Sequence, residues 1–271
     1  MRSNHFLSFI FLFFSLFLIA ACGGEPPKAD GSASQPKKGE NTTPKSDIAK
    51  SVFSESPSFP DATLGLEGYK DGTFSFNVSD YELAAQTSDA PQKMCANSGK
   101  GQHIHLIVDN KPYAAKYVNE FDYEIADGDH HVLAFLSRSY HESIKTAAAH
   151  QLKLVTIKDN TITEAKDVTD PMVLYSRPKG TYKGSAATKK VMLDFFTANA
   201  PLGSKYQIKA NINGEDHMIN TWQPYYIEGL PMGKNTISLS LLDMQGNLVK
   251  TPLNPVTREF TLEEDPLEKE G

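Results

Sequence analysis

The sequence predicts an all-β protein, built as two tandem β-sandwiches behind an N-terminal export segment. Three observations carry this. From about residue 51 to 265, short runs rich in β-branched and aromatic residues alternate with Gly, Pro, Asn and Asp, and no long amphipathic helix interrupts them. The pattern repeats: residues 103–110 align with 207–214 and residues 128–136 with 233–241, an offset of 104 that becomes 105 at the turn glycine. A chain of 271 residues, 39% hydrophobic and 22% charged, has ordinary globular composition and length for two cores.

In chain order, the first element lies outside the fold. Arg2 precedes an apolar run over 6–21 whose only polar residues are Ser8 and Ser15. It is shorter than the roughly 20 residues a spanning helix needs and reads as a secretory signal peptide over 1–21. It ends in Ile19-Ala20-Ala21-Cys22, which resembles the lipobox of bacterial lipoproteins. That resemblance implies cleavage before Cys22, lipidation of Cys22, and a membrane partner held through the lipid anchor. An ordinary signal peptide with a chance cysteine is the alternative. Residues 22–50 hold Gly, Pro, Ser, Lys, Asp and Thr with little that is large and apolar, too little to offset the entropy of ordering, so a flexible tether is expected. Gly23-Gly24 follow the cysteine, where enterobacterial lipoproteins retained at the inner membrane carry Asp. The expected location is therefore the bacterial cell envelope, at the outer membrane.

The first sandwich is expected over 51–165, with strands at 75–78, 103–108, 121–125, 132–136 and 152–157. The second is expected over 166–265, with strands at 191–196, 206–212, 225–228, 236–242 and 258–262, followed by a tail over 266–271. The second copy has the cleaner pattern. Ile208, Ala210 and Ile212 alternate with Gln207, Lys209 and Asn211, and Ile237, Leu239 and Leu241 with Thr236, Ser238 and Ser240. Period-two alternation gives one apolar and one polar face. Asn213-Gly214 is a favoured two-residue hairpin turn. A strand ending in Asp/Asn-Gly, a later strand, and a turn glycine leading into an alternating strand resemble extracellular Ig-like domains. The resemblance implies that 103–108, 121–125, 132–136 and 152–157 are strands C, E, F and G, with C, F and G in one sheet.

Carried to the first copy, the same register turns Ile104, Leu106, Val108, Val132, Ala134 and Leu136 inward. It turns His103, His105, Ile107, His131, Leu133 and Phe135 outward. Such a face calls for a cover or a ligand. The expected cover is an insertion over 81–102, where the second copy has only 199–206. The insertion carries Met94, Cys95 and Ser98-Gly99-Lys100-Gly101 and ends beside His103. Strand F runs antiparallel to C, so the loop after it, with Ser137, Arg138, Ser139, Tyr140 and His141, is expected at the same end.

Four readings of that end stay open. His103 and His105 share a strand face, and with His141, Cys95 and Met94 they offer imidazole, thiolate and thioether donors suited to copper or zinc. The lack of a carboxylate argues against calcium. Alternatively, Ser98, Lys100, Ser137, Arg138, Ser139 and His141 supply donors and positive charge for a peptide, protein or anionic ligand. A redox or nucleophilic Cys95 is a third reading, with no enzyme signature around it. The last is a covered, purely structural face. Asp127-Gly128-Asp129-His130-His131 reads as turn chemistry. Trp222 with Pro224-Tyr225-Tyr226 reads as packing, or as an aromatic ligand platform. No nucleophile elbow, P-loop or H-E-x-x-H is present, so no enzyme is expected. The net charge of -6 and the absence of a basic run make the chain a poor candidate for nucleic-acid binding, so no nucleic-acid partner is expected. Two cysteines exclude a disulfide scaffold or a four-cysteine zinc site.

Residues 94–109, with His103-Ile104-His105-Leu106, residues 135–145 and residues 222–233 are similar to Bacteroidota lipoproteins named phosphopeptide-binding proteins. The resemblance covers nearly all of the mature chain and implies non-enzymatic binding. A looser similarity, to His-rich periplasmic domains with a strand reading Gly-x-His-x-His-Leu, implies metal binding. The expectation is thus a membrane-anchored binding lipoprotein that recognises a peptide, protein or anion through loops of the first sandwich. The alternative is a copper- or zinc-binding envelope protein.

Overall fold

The structure is a computed structural model that describes residues 48–265. The signal peptide, Cys22, residues 23–47 of the expected tether and the 266–271 tail lie outside the described residues. In chain order the strands are β1 (Ala49–Val52), β2 (Thr63–Lys70), β3 (Thr73–Ser79), β4 (His103–Val108), β5 (Ala114–Lys116), β6 (Glu120–Asp122), β7 (Gly128–Ser137), β8 (His150–Lys158) and β9 (Thr161–Asp167). The second half continues with β10 (Met172–Arg177), β11 (Gly180–Lys183), β12 (Val191–Ala198), β13 (Tyr206–Ile212), β14 (Glu215–Ile219), β15 (Tyr225–Glu228), β16 (Gly233–Asp243) and β17 (Val256–Glu263). Each strand expected from the sequence is present. The one drawn over 121–125 is shorter, ending at Asp122.

The strands form two Ig-like sandwiches. In the first, sheet β5-β4-β7-β8-β9 faces sheet β2-β3-β6; in the second, sheet β14-β13-β16-β17-β11 faces sheet β1-β15-β12-β10. This is the Ig division, with C, F and G on one side and A, B and E on the other. The repeat holds residue by residue. His103 stands opposite Ser137 as Gln207 stands opposite Leu242, and Gly128 opposite Ile157 as Gly233 opposite Leu262.

Strand β1 requires a correction. The boundary expected between residues 50 and 51 falls inside it, and its partner is β15 of the second sandwich, with Ala49 opposite Glu228. The chain then crosses to the first sandwich, and Phe53 packs against Tyr226 on the way.

The inward residues behave as their alternation predicts. Ile104, Leu106, Val108, Val132, Ala134 and Leu136 join Leu64, Phe74 and Phe76 in the first core. Ile208, Ala210, Ile212, Ile237, Leu239 and Leu241 join Leu193 and Phe195 in the second.

The outward face of β4 and β7 requires a second correction. Its cover is the second sandwich rather than the 81–102 insertion. Ile107, Leu133 and Phe135 pack with Met172 and Leu174 of β10 and Phe196 of β12 in a third core, so the sheets stack in four layers. The insertion instead meets the loop after β7, where Ser98 N donates to Ser139 O and Thr87 N to Ser139 Oγ. Polar contacts fix the stacking. Asn110, in the turn after β4, accepts from Tyr175 N (2.7 Å) and donates to Val173 O (2.9 Å). Lys145 of the first sandwich pairs with the buried Asp194 carboxylate of β12 at 2.6 Å.

Candidate metal centre

The site forms where β4 emerges beside the loop that follows β7. Because Ser137 pairs with His103, the chain beyond Ser137 must turn back over the start of β4. It does so in a tight loop, with Arg138 N donating to Glu142 O and His141 N to Arg138 O. The second copy makes the same loop, with Asp243 N donating to Asn247 O and Gly246 N to Asp243 O. The residue at the left-handed position there is Gly246, at φ +86°; in the first copy it is His141, at φ +72°. A side chain in that region costs free energy that glycine avoids. The first copy accepts the cost and thereby aims an imidazole at β4.

Three imidazoles converge as a result. His103 Nε2 lies 2.8 Å from His105 Nε2 and 3.1 Å from His141 Nδ1, and His141 Nδ1 lies 3.4 Å from His105 Nε2. His103 and His105 are buried; His141 is half-buried at the rim. His103 Nδ1 is 2.8 Å from the Gly101 carbonyl. A carbonyl only accepts, so Nδ1 carries the proton and Nε2 turns its lone pair toward the other rings. His105 Nδ1 lies 3.4 Å from Ser176 Oγ of β10, and its ring stacks flat on Tyr113, 3.7 Å between centroids. Tyr117 and Phe135 flank His103 and His105.

Burial keeps these histidines uncharged. It lowers His103 to about 4, partly opposed by the Gly101 carbonyl, with Arg177 and Lys179 adding to the depression. Burial holds His105 and His141 well below the usual histidine range; His103, His141, Arg177 and Lys179 add to it at His105, and Arg177, His103 and Lys179 at His141. Neutral imidazole is the form that ligates a metal. Bonds of about 2.0–2.1 Å at tetrahedral angles place donor nitrogens roughly 3.3 Å apart, close to the separations here. Among the described residues no carboxylate or thiol belongs to the cluster, which suits zinc or copper and not a hard cation.

The other expected site residues go elsewhere. Cys95 is 8% exposed and packs with Phe53, Tyr140, Met192 and Tyr226, and burial pushes its thiol up to about 11. That is an inert thiol, outside the histidine cluster. Met94 is 57% exposed and does not share the buried site. Both assignments to the metal set are corrected, because the insertion turns its chain away from His103 before it returns.

The donors assigned to an anion are likewise consumed. Arg138 is 7% exposed; its guanidinium donates to the Pro57 and Ser143 carbonyls, lies 3.5 Å from the Glu142 carboxylate and packs over Phe59. Ser139 exchanges hydrogen bonds with Thr87, and Ser137 Oγ donates to Arg138 O. Apart from Arg138 Nε, which has no partner, these groups are taken up by neighbouring chain and are not free for an anion. Ser98 Oγ bonds the Tyr117 hydroxyl at 2.8 Å, and the exposed Lys100 lies over the Tyr117 ring. Only His141 of that set reaches the histidine cluster. Trp222 is a packing residue, donating to Phe195 O and meeting Phe196 edge-on. Tyr113, Ser176 and the Gly101 carbonyl complete the site. The sequence carried no signal for them, since each comes from a loop or from the other sandwich.

No family model and no curated protein matches the chain. Among solved structures it is similar to the fibronectin(III)-like modules of Clostridium thermocellum CbhA, at 14% identity over 35% of this chain and 100% of that one, with a TM-score of 0.26. It is similar to the central fibronectin-III array of RIM-binding protein, at 11% identity over 80% and 73%, with a TM-score of 0.27. It is also similar to SGBP-B of the Bacteroides ovatus mixed-linkage glucan utilization locus, solved with a mixed-linkage heptasaccharide, at 9% identity over 80% and 70%, with a TM-score of 0.20. Likenesses this low carry no argument about ligand or activity.

Proposed function

We propose that this protein is a lipid-anchored envelope protein that binds one copper or zinc ion through His103, His105 and His141, as a binding protein rather than an enzyme. The observation that carries the reading is the convergence of three uncharged imidazole nitrogens within 3.4 Å of one another. In the absence of a cation, the lone pairs of such nitrogens oppose each other unless a proton is shared; a metal ion satisfies all of them. The left-handed backbone at His141 supports the same reading, since strain of this kind persists where function requires it. Anchoring through Cys22, at the outer membrane, rests on the Ile19-Ala20-Ala21-Cys22 sequence.

The test is metal content. The full chain is stripped with chelator, loaded with limiting copper or zinc and dialysed. About one ion per chain is expected, falling to background in His103→Ala and in His105→Ala. A ratio near zero in the wild type, or one indifferent to both substitutions, overturns the reading. Incorporation of labelled palmitate, lost in Cys22→Ala, tests the anchor.

A further inference from the structure

Three histidines leave one position of a tetrahedral site open, and Tyr113 stands beside it. Its hydroxyl lies 3.3 Å from His141 Nδ1, the same nitrogen that is 3.1 Å from His103 Nε2 and 3.4 Å from His105 Nε2. From His141 Nδ1, three donor atoms therefore sit at nearly equal distances, close to the roughly 3.3 Å edge of a tetrahedron with bonds of about 2.0–2.1 Å. Tyr113 is also held in place. It is 5% exposed, its ring lies against His105 at an interplanar angle of 8°, and the Lys179 ammonium sits 3.9 Å from the ring centroid and donates to the Tyr113 carbonyl.

Charge points the same way. Among the described residues no carboxylate joins the three imidazoles, and Arg177 and Lys179 stand nearby. A divalent ion among them lacks compensation in a poorly solvated site. Of the two tyrosines that touch the histidines, Tyr113 brings its hydroxyl to the cluster, whereas the Tyr117 hydroxyl is bonded to Ser98 Oγ.

We propose that Tyr113 is the fourth ligand, which makes the centre a three-histidine, one-tyrosinate site for a divalent ion. The inference rests on the metal reading above. As the ion enters, the phenol O–H bond breaks, the proton passes to solvent, and the oxygen lone pair forms the bond to the metal; nothing is oxidised or reduced. An anionic oxygen among three nitrogens favours cupric over cuprous copper.

Cupric ion on the full chain is the probe. The wild type is expected to bind one ion with a visible phenolate-to-copper charge-transfer band, and resonance Raman excited in that band to show tyrosinate modes. Tyr113→Phe, which keeps the stacked ring, is expected to lose the band, to weaken binding at least about tenfold, and still to reach one ion per chain at saturating copper. A wild type that binds one ion without the band or the Raman modes overturns the proposal and leaves the histidine site standing. So does a Tyr113→Phe variant that keeps band and affinity. A wild type that binds no copper overturns the metal reading itself.

Discussion

Strands β4 and β13 occupy the same place in the two sandwiches and meet different surroundings. Both pair antiparallel with the long strand that follows the turn glycine, in matching register, and both point aliphatic residues into their own core. Outward, β13 shows Gln207, Lys209 and Asn211, half-buried, while the equivalent His103, His105 and Ile107 of β4 are wholly buried. The loops after β7 and β16 differ in the same way, with His141 where the second copy has Gly246. The inward residues of the repeat make a sandwich. The outward ones decide what stands beside it.

The strongest test of that division is Phe135→Ala. Phe135 is buried against Phe196 of the other sandwich, 4.5 Å between ring centroids, so its loss is expected to cost about 3–5 kcal/mol in urea unfolding. Ser240 holds the matching outward position of the second copy, opposite Lys209, and Ser240→Ala is expected to stay within about 0.5 kcal/mol. Equal costs at the two positions would erase the distinction.

Acid is the next largest perturbation. In the metal-free chain His103 titrates at about 4, against 6.5 for an ordinary histidine. Between those values the unfolded state binds more protons than the folded state. Stability is therefore fully present above about 6.5 and is lost as pH falls toward 4. The loss reaches roughly 3 kcal/mol from His103 alone. His103→Gln, which installs the second copy's residue, is expected to flatten that slope in unfolding measurements across the window; an unchanged slope would refute the assignment.

Asn110 sharpens the comparison further. Its amide holds Tyr175 N and Val173 O, where the matching Gly214 has no side chain. Asn110→Ala is expected to cost about 1–3 kcal/mol by leaving those two groups unpaired, read as a lower urea midpoint. The smallest effect separates stability from function. His141→Gly is expected to stabilise the metal-free fold by about 1 kcal/mol through relief of the left-handed backbone, while metal per chain drops to background. A destabilised variant would show that His141 serves packing.

Part of the site was legible because strand geometry is regular. His103 and His105 stand two residues apart and must share a face. His141 follows a strand that must run antiparallel to theirs. Cys95 was misplaced because closeness in sequence to His103 says nothing about where a loop sends its side chains, and the insertion delivers it to Tyr140 and Tyr226. Arg138 and its neighbouring serines have the composition of an anion site, yet their donors are spent within the loop and in tying it to Pro57 and Thr87. Strand β10 escaped notice because Met172, Val173, Leu174 and Tyr175 are apolar on both faces, and without alternation there is no period to read.

Local chemistry, then, is enough to determine the two sandwiches, their register and the two histidines that share a face, because a period of two and a repeated turn leave few alternatives. The partner of the outward face is a tertiary decision. Apolar surface attracts without direction, so Ile107, Leu133 and Phe135 demand a cover without naming one. Only the packed chain selects Met172, Leu174 and Phe196 for it, and with that choice brings Ser176 to His105.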